Sequence, residues 1–399
     1  MNIIIAGDFN FPFGTACASR MRHFARGLTE AGARVRVISQ NEPEGGEPNY
    51  LGIPYEGMMD GEGMHLGKKG LLSKTKWLTR WLGAAKRMAQ RVEEIVGLEQ
   101  VDVVIQYNLS WYALEPFNRL CRRRGVALVR DVVEWEGVSF FRGGFFNPLF
   151  IDAQVGMRFS IVRSEGVIGI SEYLRNYYAS RGVPAICVPA IIEIPEQMPK
   201  AGKKDEKEFN VVYLGQMAER DCPIEMVQAI RQVLIKGLPV RFTIVGSKGE
   251  KGVAGKARVI SETDKYLRGK VEFLGRVSDE DVIRILTTAD ALLLVRPDDV
   301  VTRAAFPTRL PEYLTSGTPV IITGVGDIPK YLRDGIDGMV IGSCTPEAIA
   351  ERIEMLMNMP DRGRRIAEGG FECAKKNFDY KSRTKEILEF IETLKRRQK

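Results

Sequence analysis

Two periodicities alternate along most of this chain. Short runs of β-branched and apolar residues recur at Asn2 to Ala6, Arg34 to Ser39, Val101 to Gln106, Val126 to Arg130 and Gly166 to Ile170. Between them lie longer stretches with apolar residues at helical spacing, of which Ser19 to Ala31 is the clearest. Strands that read as unbroken apolar runs, separated by amphipathic helices, predict βαβ units and a parallel sheet covered on both faces. The pattern fades from Asn41 to Gly70, a stretch rich in Gly, Glu and Pro that reads as loop.

A second break falls between Pro195 and Glu208, where Pro199, Gly202 and the run Lys203-Lys204-Asp205-Glu206-Lys207 interrupt the pattern. Another α/β series follows. It reads strand at Asn210 to Leu214, helix at Pro223 to Ile235, strands at Arg241 to Val245 and Lys270 to Phe273, helix at Ser278 to Thr287 and strand at Ala291 to Val295. Val340-Ile341 and a helix from Thr345 complete it. With 399 residues the chain exceeds one compact core. The expected fold is α/β with two facing Rossmann-like domains: 1–195, a linker at 196–208, then 209–365. A C-terminal helix over 366–399 is expected to cross back to the first domain.

Composition narrows the classes. At 44% hydrophobic and 27% charged residues this is ordinary globular usage. No apolar run reaches the roughly 18 residues that span a bilayer, and Met1-Asn2-Ile3-Ile4-Ile5 reads as a first strand rather than a leader, so a cytoplasmic location is expected. The six cysteines are scattered without metal-ligand or redox spacing and are expected to be reduced thiols. Only two histidines, His23 and His65, leave little room for histidine-based hydrolysis or metal chemistry; His23 reads as a surface or groove residue.

The net charge of +7 is spread over both halves, so no nucleic-acid partner is expected. One concentration stands apart: Lys68, Lys69, Lys74, Lys76, Arg80, Lys86, Arg87 and Arg91 follow one another with no acid among them. The same stretch carries Trp77, Leu78, Trp81, Leu82, Ala85, Met88, Val92 and Ile95 at helical spacing. Such a helix near 71–95 either packs its apolar face on a core or lies on an anionic membrane surface.

The densest chemistry is at Phe306-Pro307-Thr308-Arg309-Leu310-Pro311-Glu312-Tyr313-Leu314, followed by Ser316-Gly317-Thr318-Pro319-Val320-Ile321. It reads as a loop, a helix with Thr308 as N-cap and Pro311 in the first turn, a glycine stop and a buried strand. A helix start can hold an anion on its free N–H groups, while a carboxylate one turn in can accept from a sugar hydroxyl. That combination suggests a site for a nucleoside diphosphate. Gly14, between the first strand and first helix, can let backbone N–H groups approach a phosphate. The turn lacks G-x-G-x-x-G, which argues against a dinucleotide dehydrogenase. Asp279-Glu280-Asp281 after Ser278 reads as helix capping rather than a metal triplet.

In order, Val211-Val212-Tyr213-Leu214-Gly215, Phe242-Thr243-Ile244-Val245-Gly246, Val271 to Val277, Ala289-Asp290 and Phe306 to Ile322 resemble the GT-B glycosyltransferases, in particular retaining glycosyltransferase family 4. Phe13-Gly14-Thr15 with Arg20, Arg22 and Gly27, and Ile168 to Leu174, carry the resemblance into the first half. The resemblance implies transfer of a sugar from a UDP- or GDP-linked donor to a glycan or lipid-linked acceptor held by the first domain. It implies retention of configuration, and no cofactor or metal beyond the donor itself. It places Gly14, Gly215, Gly246, Arg276, Thr308, Arg309 and Glu312 around the donor, Glu312 on the ribose.

This chain departs from the family at two points. The first of the family's paired carboxylates falls at Ala304, and the diphosphate-binding arginine has become Gln216, leaving Arg220 as the nearest cation in that loop. Arg220 is the candidate for stabilising the leaving diphosphate. Asp131 and Glu134, after the strand at Val126 to Arg130, are the candidates that face the reacting sugar from the first domain. Two rival readings remain: a nucleotide-sugar epimerase of the same architecture, and a non-catalytic partner that docks on a membrane or another transferase.

Overall fold

The computed structural model describes residues 1–41, 49–59, 71–107, 111–137, 144–200, 202 and 207–398, with the side chains of 41, 59, 71–82, 111, 113 and 398 outside that description. The chain forms two compact units, Met1–Glu193 with Tyr380–Lys399, and Ile194–Asp379.

In the first unit, β1 (Asn2–Gly7) leads to α1 (Ala16–Glu30) and β2 (Arg34–Asn41), then to the short β3 (Asn49–Tyr50), β4 (Ile53–Met59) and α2 (Leu71–Leu98). After these come β5 (Val103–Tyr107), α3 (Trp111–Arg124), β6 (Ala127–Val132), α4 (Pro148–Val155), β7 (Gly166–Gly169), α5 (Glu172–Ala179) and β8 (Ala185–Cys187). The strands form one sheet ordered β3-β4-β2-β1-β5-β6-β7-β8, parallel except for β3 against β4. The stretch expected to be loop from Asn41 to Gly70 therefore contains a sheet strand, β4; residues 42–48 and 60–70 lie outside the described residues.

The period-2 alternation of β6 sorts its side chains between two cores. Ala127 and Val129 pack with α1 residues Met21 and Phe24, while Leu128 packs on the opposite face with Phe117 and Leu120 of α3 and Met88 and Val92 of α2. From residue 84 onward the apolar stripe of α2 is thus buried, Val92 being fully inaccessible. Over this stretch the structure supports the core-packing alternative, since the apolar face lies on the sheet. Lys68 and Lys69 lie outside the described residues.

In the second unit, β9 (Phe209–Leu214), α6 (Pro223–Ile235), β10 (Val240–Val245), α7 (Gly252–Thr263), β11 (Val271–Gly275), α8 (Asp279–Thr288) and β12 (Ala291–Leu294) form the first half. The short α9 (Val300–Ala304) and α10 (Leu310–Thr315) precede β13 (Val320–Thr323), α11 (Ile328–Tyr331), β14 (Met339–Ile341), α12 (Pro346–Asn358) and α13 (Pro360–Asn377). The all-parallel sheet runs β11-β10-β9-β12-β13-β14. This is the doubly wound order in which the chain reverses direction between β9 and β12, where such folds open a ligand crevice. The described part of the expected linker lies against this unit: Gly202 donates its N–H to Thr287, and Met198 approaches Gly317. Residues 201 and 203–206 lie outside the described residues.

The single C-terminal helix expected over 366–399 is two helices. Helix α13 starts at Pro360 and belongs to the second unit; α14 (Tyr380–Gln398) belongs to the first. The break has a packing cause. Phe378 is buried beside Phe306 and Tyr331, whereas Tyr380 is buried against the first unit, donating its N–H to Ile192 and its hydroxyl to Glu30. Gly27 lets α14 lie close to α1, since a Cβ there would fall 2.3 Å from Thr384 Oγ1.

Candidate functional site

In the second unit three strand ends meet at glycine. Gly215 follows β9, Gly246 follows β10 and Gly275 ends β11, and their backbones touch directly. Gly246 donates its N–H to the Gly275 carbonyl at 2.6 Å, and Gly215 donates to Val245 at 2.8 Å. A Cβ on Gly246 would sit 2.9 Å from the Gly215 carbonyl oxygen, and its φ of +96° is left-handed. A side chain is excluded there twice over, by contact and by backbone conformation. Arg276, directly after this cluster, is exposed.

The loop from Gly215 to Cys222 carries strained backbone at two positions. Met217 and Cys222 both adopt left-handed conformations at φ 52° and 49°, uncommon for non-glycine residues and concentrated where ligands bind. Asp221 pins the loop, accepting from Ala218 N–H at 2.9 Å and pairing with the phenol of Tyr213. Burial and this carboxylate push the Tyr213 phenol far above its usual range. Arg220 lies half-buried in the one-turn helix Glu219–Asp221. Gln216, in the family's arginine position, gives its amide to the Gly246 carbonyl at 2.8 Å.

Helix α10 reaches the same strand end. Its fully buried Tyr313 accepts the Leu214 N–H on the phenol oxygen at 2.7 Å, fixing the helix beside β9. Glu312, in the first turn, pairs with Arg309 at 2.9 Å. Both side chains are well exposed, 44% for Arg309 and 39% for Glu312, so this pair stabilises little and either member can re-partner with a ligand.

The expectation for Thr308 is corrected. The Leu310 N–H bonds back to Pro307, forming a turn over 307–310, and α10 starts at Leu310 with Arg309 in the N-cap position and no side-chain cap. Thr308 is half-buried in that turn. Gly317, at φ +78°, ends the helix as expected. Ala304, where the family carries its first carboxylate, is fully buried. Ser278 caps α8, accepting the Asp281 N–H at 3.1 Å, so that acidic triplet serves the helix start.

In the first unit the corresponding reversal lies between β1 and β5. Gly14, exposed at φ +151°, is in the loop after β1. Tyr107 ends β5 among Cys17, Glu134 and Asp131; burial and these neighbours push its phenol far up. Asp131 is buried and ion-paired. It is 1% exposed, and both its oxygens accept from Arg20, at 2.9 and 2.8 Å. Arg20 also donates to the carbonyls of Val188 and Pro189, which makes the pair a clamp between α1, β6 and the end of β8. Glu134 is partly buried. Arg130 points to the opposite face, onto Leu114 and Asn118, not toward Glu134. Sequence reasoning missed Tyr107 and the role of Arg20; a cation inside the apolar stripe of α1 was the available signal. His23 is likewise 6% exposed rather than a surface residue, lying 5.5 Å from the Tyr380 ring.

Two mainly parallel-sheet domains, each with a switch point in its strand order, agree with the expected GT-B plan. Comparison with known proteins carries this further. Residues 195–372 match the model of the glycosyl transferases group 1, and residues 15–189 match that of the glycosyl transferase 4-like domain. The chain belongs to the GT-B glycosyltransferases of the family 4-like type. It is 21% identical to the D-inositol 3-phosphate glycosyltransferase of Segniliparus rotundus over 90% of this chain and 81% of that protein. It is also 21% identical to spore coat protein SA of Bacillus subtilis, but over only 46% of this chain and about half (48%) of that protein's length. Among solved structures, sucrose-phosphate synthase from Thermosynechococcus elongatus superposes with a TM-score of 0.76 at 14% identity, covering 98% of both chains. Anabaena HepE in complex with UDP-glucose superposes at 0.68 and 14%, covering 98% of this chain and 99% of that one.

Proposed function

We propose that this protein transfers a sugar from a UDP- or GDP-linked donor to a glycan or lipid-linked acceptor. The observation that carries the reading is the close backbone junction of Gly215, Gly246 and Gly275, with helix α10, which carries Glu312, held beside it through the Tyr313–Leu214 hydrogen bond. Close-set backbone at the ends of parallel strands suits a diphosphate. Arg220, Arg276 and Arg309 are the cations of these loops, and Glu312 is the acceptor for ribose hydroxyls. The chemical demand is charge: as the bond from the anomeric carbon to the diphosphate oxygen breaks, negative charge grows on the leaving group, and preorganised cations and amides stabilise it. In this reading no metal is required. The acceptor oxygen bonds to the anomeric carbon on the face the diphosphate leaves, its proton passes to a diphosphate oxygen, and the anomeric configuration is retained.

Gly14, Tyr107 and Glu134 of the first unit are the groups proposed to meet the sugar or acceptor, with the Arg20–Asp131 clamp as positioning residues. The UDP-glucose complex of Anabaena HepE, alike in fold, makes UDP-glucose the first donor to try. The test is incubation with UDP- and GDP-sugars separately, in the presence and absence of chelator, with release of nucleoside diphosphate measured. Release from one donor class, unaffected by chelator, is expected. No release, together with no thermal stabilisation by any nucleoside diphosphate, would replace this reading with a non-catalytic docking role.

A further inference from the structure

The second unit carries a cavity away from the strand ends proposed for the donor. Its volume is about 700 Å³, and it opens between the turn before β14, the junction of α12 with α13 and the first turns of α13. The sheet is all-parallel, so this turn lies at the rim where strands begin, whereas Gly215, Gly246 and Gly275 lie at the rim where strands end. The volume is that of a small-molecule site.

The walls are fixed. Asp337, 4% exposed, accepts from the Arg333 guanidinium at 2.7 Å on each oxygen and holds the turn 333–337 closed. Gly335 continues that turn at φ +71°, donating its N–H to the Gly338 carbonyl at 2.8 Å. Helix α13 lies directly against the turn at Gly369, where a Cβ would collide with the Ile336 carbonyl. A Cβ on Gly335 would sit 2.9 Å from Arg362 Nη2, so the missing side chain leaves that guanidinium its place.

Three chemistries line the cavity. Arg362 and Arg365 stand three positions apart on one face of α13, and neither guanidinium has an ion-pair or hydrogen-bond partner among the described residues. The neighbouring acids are already taken, Asp337 by Arg333 and Asp334 by Arg352. Two uncompensated guanidiniums suit a doubly charged phosphate. Asp361 and Asn358 add an acceptor and an amide that can bond hydroxyl groups. The Asp361 carboxylate also disfavours a bare polyanion and favours a phosphate ester whose body carries hydroxyls. Ile336 and Met359, both exposed, supply an apolar wall against which the C–H face of a sugar ring can pack.

We propose that this cavity binds a sugar phosphate, with the phosphate on Arg362 and Arg365, hydroxyl groups on Asp361 and Asn358, and the ring on Ile336 and Met359. The proposal does not rest on the donor reading, since binding is measured with no nucleotide sugar present.

The experiment is calorimetric titration of the full chain with glucose 6-phosphate, glucose and inorganic phosphate. Expected is binding of glucose 6-phosphate that weakens with salt and is about tenfold or more tighter than that of glucose or inorganic phosphate. The Arg362→Ala/Arg365→Ala variant is expected to lose about tenfold or more of that affinity. Neither guanidinium has a polar partner among the described residues, so the thermal midpoint of the variant without ligand stays at that of the parent. Arg364→Ala removes an exposed cation of the same helix that does not line the cavity, and is expected to bind as the parent does. No binding of glucose 6-phosphate, equal affinity for inorganic phosphate, or equal losses in the Arg364 and double variants would each overturn the proposal. So would binding unaffected by the double variant, which would place the sugar phosphate elsewhere on the chain.

Discussion

Arg20 and Asp131 lie 111 positions apart in sequence, yet form a deeply buried ion pair. Removing one charge strands the other. Asp131→Asn is therefore expected to lower stability by about 3 kcal/mol, read by chemical denaturation. A loss below about 1 kcal/mol would show the pair to be hydrated. His23 gives a pH-dependent counterpart. Burial first, then Arg22, lowers its pKa from 6.5 to about 4. The folded state binds fewer protons than the unfolded one between these values, so its contribution is intact above pH 6.5 and is lost as pH falls toward 4. His23→Gln is expected to flatten the fall in thermal midpoint between pH 7 and pH 5; an unchanged slope would reject this assignment. Asp131 was legible as a residue at a strand end, but its partner was not. Nothing local in the sequence pairs a helix residue with a strand more than a hundred positions on.

At the scale of elements, most strands could be read because both faces of a parallel sheet are buried and leave unbroken apolar runs. Strand β4 could not: Pro54, Glu56 and Gly57 interrupt its apolar pattern, and it lies near the sheet edge, with only the two-residue β3 outside it. The start of α10 was misplaced because Thr308 is a good cap by type, but the backbone turn from Pro307 to Leu310 supersedes it. The glycine junction makes a sharper prediction. Gly246→Ala brings a Cβ to 2.9 Å from the Gly215 oxygen, whereas Gly237→Ala, at φ +76°, meets nothing within 4 Å. Both carry left-handed strain, and only the first should alter the strand ends. Gly246→Ala is expected to weaken nucleoside diphosphate binding about tenfold or more, and Gly237→Ala to leave it unchanged. Equal losses would attribute the effect to strain alone.

At the scale of the whole molecule, the two-domain plan was visible as two α/β series separated by a polar stretch. The return of the C-terminal segment to the first unit was expected, but the break within it was not. Helical pattern continues through residues 364–395, and only tertiary burial, Phe378 in one unit and Tyr380 in the other, divides it. The departures from the family at Ala304 and Gln216 remain the strongest reason to test donor binding directly. A single titration does so: calorimetric binding of UDP and GDP to the parent and to Glu312→Gln. The account predicts that one nucleotide binds the parent and that the substitution weakens it by about tenfold or more, the worth of a charged hydrogen bond to the ribose. Equal affinity of parent and variant, or no binding of either nucleotide to the parent, would contradict it.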